Sequence, residues 1–120
     1  MRDYKKIKAW EFANKLTISI YKYTKNFPKN ELYGITSQIR RAAVSVPTNI
    51  AEGATRNSNK EYLQFLYIAK GSLAETEYLL GLSSSLNYLS EIEYKDLSSI
   101  HLECAKTLYG LIQSVSNERV

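Results

Sequence analysis

Cysteine and histidine are nearly absent: the 120 residues hold one of each, Cys104 and His101. A lone cysteine excludes an internal disulfide framework and points to a reducing compartment, with the cytoplasm as the default. A hydrolytic triad needs a base beside a nucleophile. Here the single histidine stands three residues from the single cysteine, on what reads as an inward helix face, and core packing accounts for both. A di-iron site in a bundle core needs Glu-x-x-His pairs on two helices, but Ser98 occupies the place three before His101. Zinc-ligand spacing is missing too. The glycines, at 34, 53, 71, 81 and 110, are scattered and build no phosphate-cradling loop. Glu52, Glu75 and Glu77 fit surface salt bridges or subunit contacts better than paired catalytic acids. No apolar run approaches the ~20 residues of a membrane span, and the basic N-terminus lacks the apolar stretch of a signal peptide. These absences predict a cytoplasmic protein that is not an enzyme, uses no metal or cofactor, and has no membrane partner.

Strand-like alternation is also missing, as is any repeat of 20 to 50 residues. What is present is helical periodicity. Four amphipathic segments with short connections predict an all-α, up-and-down antiparallel four-helix bundle, one domain over residues 1–120. The first helix should start near Ile7 or Lys8 and end before Phe27-Pro28, because proline disfavours helix at the residue before it. Trp10, Ala13, Leu16, Thr17, Ile20, Tyr21 and Thr24 make its inward stripe, while Lys8, Lys15 and Lys22 recur on its outer face. Seven residues rising 1.5 Å each set those lysines about 10 Å apart.

The second segment, Leu32 to Arg56, sorts into three faces at roughly 100° per residue. Leu32, Ile35, Ile39, Ala42, Ala43, Val46, Ile50 and Gly53 read as core. Ser37, Gln38, Arg41, Ser45, Thr48, Asn49, Glu52 and Arg56 make a polar face. Gly34, Thr36, Val44, Pro47, Ala51 and Ala54, beside Tyr33 and Arg40, make a face of small residues that suits the close approach of another helix or subunit. Pro47 cannot donate to the Ala43 carbonyl. The faces stay in phase across it, so one long helix kinked at Pro47 is expected, with Thr48 and Asn49 solvating the freed carbonyl.

Ser58 with Glu61 forms a capping box that starts the third helix. This helix should bury Tyr62, Phe65, Leu66, Ala69, Leu73, Thr76 and Leu80 and end between Gly81 and Ser85. A second stripe through Leu63, Tyr67, Ala74 and Tyr78 is more apolar surface than an isolated bundle needs, and predicts a subunit contact. Ser90 with Glu93 repeats the capping box, with Leu89 and Tyr94 as a hydrophobic staple, so the fourth helix starts at Glu91. Leu97, Ile100, His101, Cys104, Leu108, Leu111, Ile112 and Val115 should face inward, and Ser116 to Val120 should fray.

Charge is unevenly spread. Residues 1–60 carry 12 Lys or Arg against 4 Asp or Glu, a net +8; residues 61–120 carry 4 against 8, a net −4. Such a chain either joins its own subunits head to tail or offers its basic half to a polyanion. Arg40, Arg41, Arg56 and Lys60, with Lys8, Lys15 and Lys22, are the candidate nucleic-acid contacts, since arginine forks suit phosphate. The ten tyrosines offer stacking surfaces for unpaired RNA bases, although core and interface claim most of them. The same arginines suit acidic helices of a protein partner, so an adaptor that recruits such a partner is the alternative. Tyr33, Val44, Ala51, Leu63, Tyr67 and Tyr78 are the candidate oligomer interface.

The stretch QIRRAAVSVPTNIAEGATRNSNKEYLQFLYIAKGSLAETEYLL, with IYKYTKNFPKNELYG before it, resembles the small four-helix proteins encoded in bacterial 23S rRNA intervening sequences. These are in turn similar to the accessory variability protein of diversity-generating retroelements. The family pattern falls on Arg40, Arg41, Val46, Pro47, Asn49, Ile50, Ala51, Glu52 and Gly53, and its later element on Ser58, Lys60 and Glu61. Thr48 stands where serine is usual, and Ala54-Thr55 replaces a more glycine-rich sequence. The resemblance implies a four-helix bundle assembled as a ring-like homopentamer, with a positively charged surface for RNA or DNA and no catalytic activity.

Overall fold

Four helices carry the chain: α1 (Lys8–Thr24), α2 (Ser37–Ala54), α3 (Asn59–Ser85) and α4 (Glu91–Glu118). The computed structural model describes residues 2–118. Among them there is no strand, and no helix is both long and apolar enough to cross a membrane. α1 packs on α2 and α4, and α3 packs on α2 and α4, so the helices stand in chain order around a square with one apolar core. Arg119 and Val120, expected to fray, lie outside the described residues, whereas Ser116–Glu118 continue α4.

The turns follow the local chemistry. At Ser90 both halves of the capping box form: Glu93 N–H donates to Ser90 Oγ at 3.1 Å, and Ser90 N–H donates to Glu93 Oε1 at 2.8 Å. At Ser58 the serine half forms, with Glu61 N–H donating at 3.1 Å. Two residues past the end of α3 stands Asn87, whose φ of 63° is the left-handed conformation that asparagine tolerates better than most residues. Tyr88 N–H then reaches Ser83 O at 2.9 Å and Asn87 N–H reaches Ser84 O at 3.0 Å, the double closure of a Schellman motif.

The second segment departs from expectation at its start. α2 begins at Ser37 rather than Leu32, because Gly34 takes a non-helical conformation (φ −107°, ψ −119°) inside a π-helical turn over Leu32–Thr36. That break rotates Leu32 out of the expected core, where it is half exposed. Pro47, by contrast, lies within a continuous helix. Thr48 Oγ1 donates to Val44 O and Asn49 Nδ2 to Ser45 O, each at 2.8 Å, so neither serves the freed carbonyl of Ala43. Thr17 Oγ1 on α1 does so at 3.1 Å, while also standing 2.8 Å from Ala13 O.

Close packing is tightest where α2 meets α3. A Cβ on Gly53 would stand 2.8 Å from Phe65 Cβ and 2.9 Å from Tyr62 Cδ1, so this position requires glycine for the helices to approach. Other inward assignments shift by one helix edge. Ala9, outside the expected stripe of α1, is buried; Tyr21, inside that stripe, is exposed; Phe65 and Leu111 are half-buried.

Candidate nucleic-acid interface

Antiparallel packing brings the start of α1, the end of α2 and the start of α3 to one end of the bundle, and the cations gather there. Arg2 ties this end together. Its Nη1 donates to Arg56 O at 2.9 Å, its Nη2 donates to Asn59 Oδ1 at 2.7 Å, and the guanidinium lies 4.2 Å from the Tyr62 ring centroid. Cation–π stacking and capping of the last α2 carbonyls hold the N-terminal segment against the α2–α3 turn. Arg56 lies exposed with its guanidinium 4.6 Å above the Phe65 ring, and Lys60 is exposed on the first turn of α3. Arg2, Arg56, Ala54, Thr55 and Asn57 line an open recess of about 520 Å³. Helical periodicity carries no signal for Arg2, since its partners lie more than fifty residues away.

Lys8, Lys15 and Lys22 stand exposed along the outside of α1, as their spacing predicts. Lys8 pairs with Glu11 at 3.5 Å, an exposed contact that contributes little. Lys22 sits 5.6 Å above the Tyr23 ring. Among the described residues Lys15, Arg41, Arg56 and Lys60 make no salt bridge.

The adjacent arginines do not act as one fork. A step of about 100° sends them to different neighbours. Arg40 turns towards α1, where Nε donates to Thr24 Oγ1 at 2.9 Å and the guanidinium stacks 4.7 Å above Tyr21. It is half-buried and serves the α1–α2 contact. Arg41 is exposed towards α3 and shares a shallow recess with Gln38, Ser45, Ser72 and Glu75.

The expected interface residues also divide. Tyr33 is 94% exposed, and Tyr67, Tyr78 and Val44 are exposed, whereas Ala51 is half-buried. Leu63, at 3%, belongs to the core of its own subunit and presents no surface for a contact. Thr36, Pro47 and Ala54 of the small-residue face are likewise buried within the chain.

His101 is buried, with Nε2 2.9 Å from Leu73 O. A carbonyl only accepts, so Nε2 carries the proton. Cys104 is buried with Sγ 3.8 Å from Ala9 O, and burial pushes its thiol up to about 12. At pH 8 only about one molecule in 10⁴ then carries the thiolate that reacts. Cys104 in the folded protein should resist a thiol reagent at pH 8 and react fully in denaturant; rapid native labelling would contradict its burial. The folded thiol is harder to ionise than the unfolded one, so its contribution to stability is complete below the unfolded value of about 9 and is lost as pH rises from there towards 12. Among the described residues no group of three or more His, Cys, Asp or Glu side chains is placed to hold a metal ion.

Fold and surface together define an all-α bundle with a cationic end and a lysine-lined helix. Residues 5–110 match the sequence profile of the 23S rRNA-intervening sequence protein family, and the chain belongs to that family. A crystal structure of a protein of unknown function from the S23 ribosomal protein family of Bacteroides thetaiotaomicron superposes with a TM-score of 0.79 at 24% identity. The match covers 88% of this chain and 95% of that one, and the shared feature is the fold. Among curated proteins none matches the chain.

Proposed function

We propose that the protein is a non-enzymatic homo-oligomer, pentameric as the family resemblance implies, that binds nucleic acid through its basic surface with little sequence preference. The observation that supports this reading is the placement of Lys8, Lys15 and Lys22 along one exposed helix edge, on a bundle whose end carries Arg2, Arg56 and, on the first turn of α3, Lys60. Ammonium groups about 10 Å apart can follow a phosphate backbone. RNA is favoured over DNA because exposed tyrosines such as Tyr33, Tyr67 and Tyr78 offer stacking surfaces for unpaired bases. Exposed lysines and stacked arginines carry charge but no base-reading geometry, so contacts to phosphate dominate. A ring would repeat the surface, and multivalency would raise an affinity that one subunit alone supplies weakly.

The experiment is a titration of labelled single-stranded RNA into the wild type and into Lys15→Glu/Lys22→Glu. Both positions are exposed, so the variant should keep its fold and mass, and RNA affinity should fall at least tenfold. Equal affinity would remove the α1 edge from the site. RNA-independent retention of an acidic protein partner, surviving complete nuclease digestion, would favour the adaptor instead.

A further inference from the structure

The lysine edge of α1 has two unlike flanks. At roughly 100° per residue, Tyr23 falls on one side of the row formed by Lys8, Lys15 and Lys22, while Ile18 and Tyr21 fall on the other. Their contacts say which neighbour each side meets: Tyr23 O–H donates to Asp96 Oδ2 of α4 at 2.6 Å, whereas Tyr21 lies against Arg40 of α2. Phosphates seated on the lysines are therefore repelled at the α4 flank by the exposed carboxylate of Asp96 and drawn towards the α2 flank.

The α2 flank also has surface for bases. Ile18 is 61%, Tyr21 41% and Val44 38% exposed. The bond from Thr17 Oγ1 to Ala43 O brings the neighbours of these two residues, Ile18 and Val44, to the same level of the bundle. Arg40 stacks 4.7 Å from the centre of the Tyr21 ring and is itself held by its bond to Thr24 Oγ1, so the ring is pinned before any ligand arrives. No other exposed tyrosine stands beside the lysine row in this way. Tyr67 and Tyr78 are on α3, diagonal to α1; Tyr33 is in the turn before α2; Tyr109 opens on the α3–α4 groove. We propose that the pinned ring of Tyr21, with Ile18 and Val44 beside it, is a stacking platform for unpaired bases whose phosphates lie on the α1 lysines, so that the protein selects single-stranded over duplex RNA. This rests on the phosphate-binding reading above and adds the form of nucleic acid that the surface takes. A basic track beside an aromatic face holds single strands without reading sequence, because every base has a π-face.

The test compares an unstructured single-stranded RNA with a duplex of equal length, each titrated at several salt concentrations. A surface that held phosphates alone would bind the duplex at least as well, since the duplex is denser in phosphate. The wild type should instead bind the single strand more tightly. Tyr21→Leu keeps an apolar side chain against Arg40 but removes the ring face, and Tyr21→Trp keeps a face; both are checked for an unchanged circular dichroism spectrum and mass. Losing one base–aromatic stack should weaken single-strand binding about fivefold or more in Tyr21→Leu. Its duplex affinity and its salt slope should stay at the wild-type values, and Tyr21→Trp should bind the single strand as the wild type does. A duplex bound as tightly as the single strand, an unaltered single-strand affinity in Tyr21→Leu, or an equal loss on both nucleic acids would overturn the platform while leaving phosphate binding standing. Wild-type affinity that ignores salt, or no binding of either RNA, would overturn the reading on which it rests.

Discussion

Thr17→Val should destabilise the bundle by about 1–3 kcal/mol, and most of that loss should vanish when Pro47 is also replaced by alanine. Pro47 offers no N–H to Ala43 O, and the Thr17 hydroxyl is the group that stands 3.1 Å from that carbonyl. Removing it leaves a partly buried acceptor without a partner. An unsatisfied group of this kind costs more than the net gain of an ordinary hydrogen bond. Alanine at 47 restores the helical donor, so the carbonyl no longer depends on α1. Urea melts of the wild type, both single variants and the double variant give the coupling directly. A coupling of about 1 kcal/mol or more is expected. Strictly additive effects would show that the hydroxyl is not what satisfies Ala43.

Gly53→Ala should cost about 1–3 kcal/mol, despite the higher helix propensity of alanine, which by itself would stabilise by up to about 1 kcal/mol. The added methyl would meet Phe65 Cβ at 2.8 Å, an atom fixed to the α3 backbone that cannot swing aside. Relief requires α3 to move away from α2, which loosens the most extensive helix pair of the bundle. Because Arg56 stacks on Phe65 and Arg2 on Tyr62, the same shift would disturb the cationic end. A melting temperature equal to or above the wild type would show that the two helices have room to spare. At Gly71, by contrast, an added methyl would find nothing within 4 Å, and Gly71→Ala should be neutral or stabilising.

Much of this architecture was legible because its determinants are local. The two capping serines, the proline after Phe27 and the 3.6-residue period specify where helices start, stop and face, and they recur in the structure at Ser58, Ser90 and Lys8. Gly34 was harder to read. A glycine in phase with an apolar stripe is indistinguishable from a helical one until its backbone is seen, and there it interrupts the helix. The site was legible only as a set of cations. Side-chain reach decided their roles: Arg40 folds back onto Tyr21 and Thr24, whereas Arg41, one step away, stays exposed. Arg2 gained its role from contacts across more than fifty residues, which periodicity does not report. Leu63 defeats the wheel, which puts it beside Tyr67, because α3 packs between two neighbours and buries that edge near its start.

If the basic surface holds nucleic acid through its phosphates, the salt dependence of wild-type RNA binding is the most direct test. Each phosphate neutralised on a single strand contributes about −0.7 to the slope of log affinity against log salt, so even four contacts give a slope of about −3. Affinity for a labelled single strand, measured across a series of salt concentrations at constant oligomer mass, should fall along such a line and differ little between sequences of equal length. A flat line, or no binding at low salt, would contradict phosphate-directed binding.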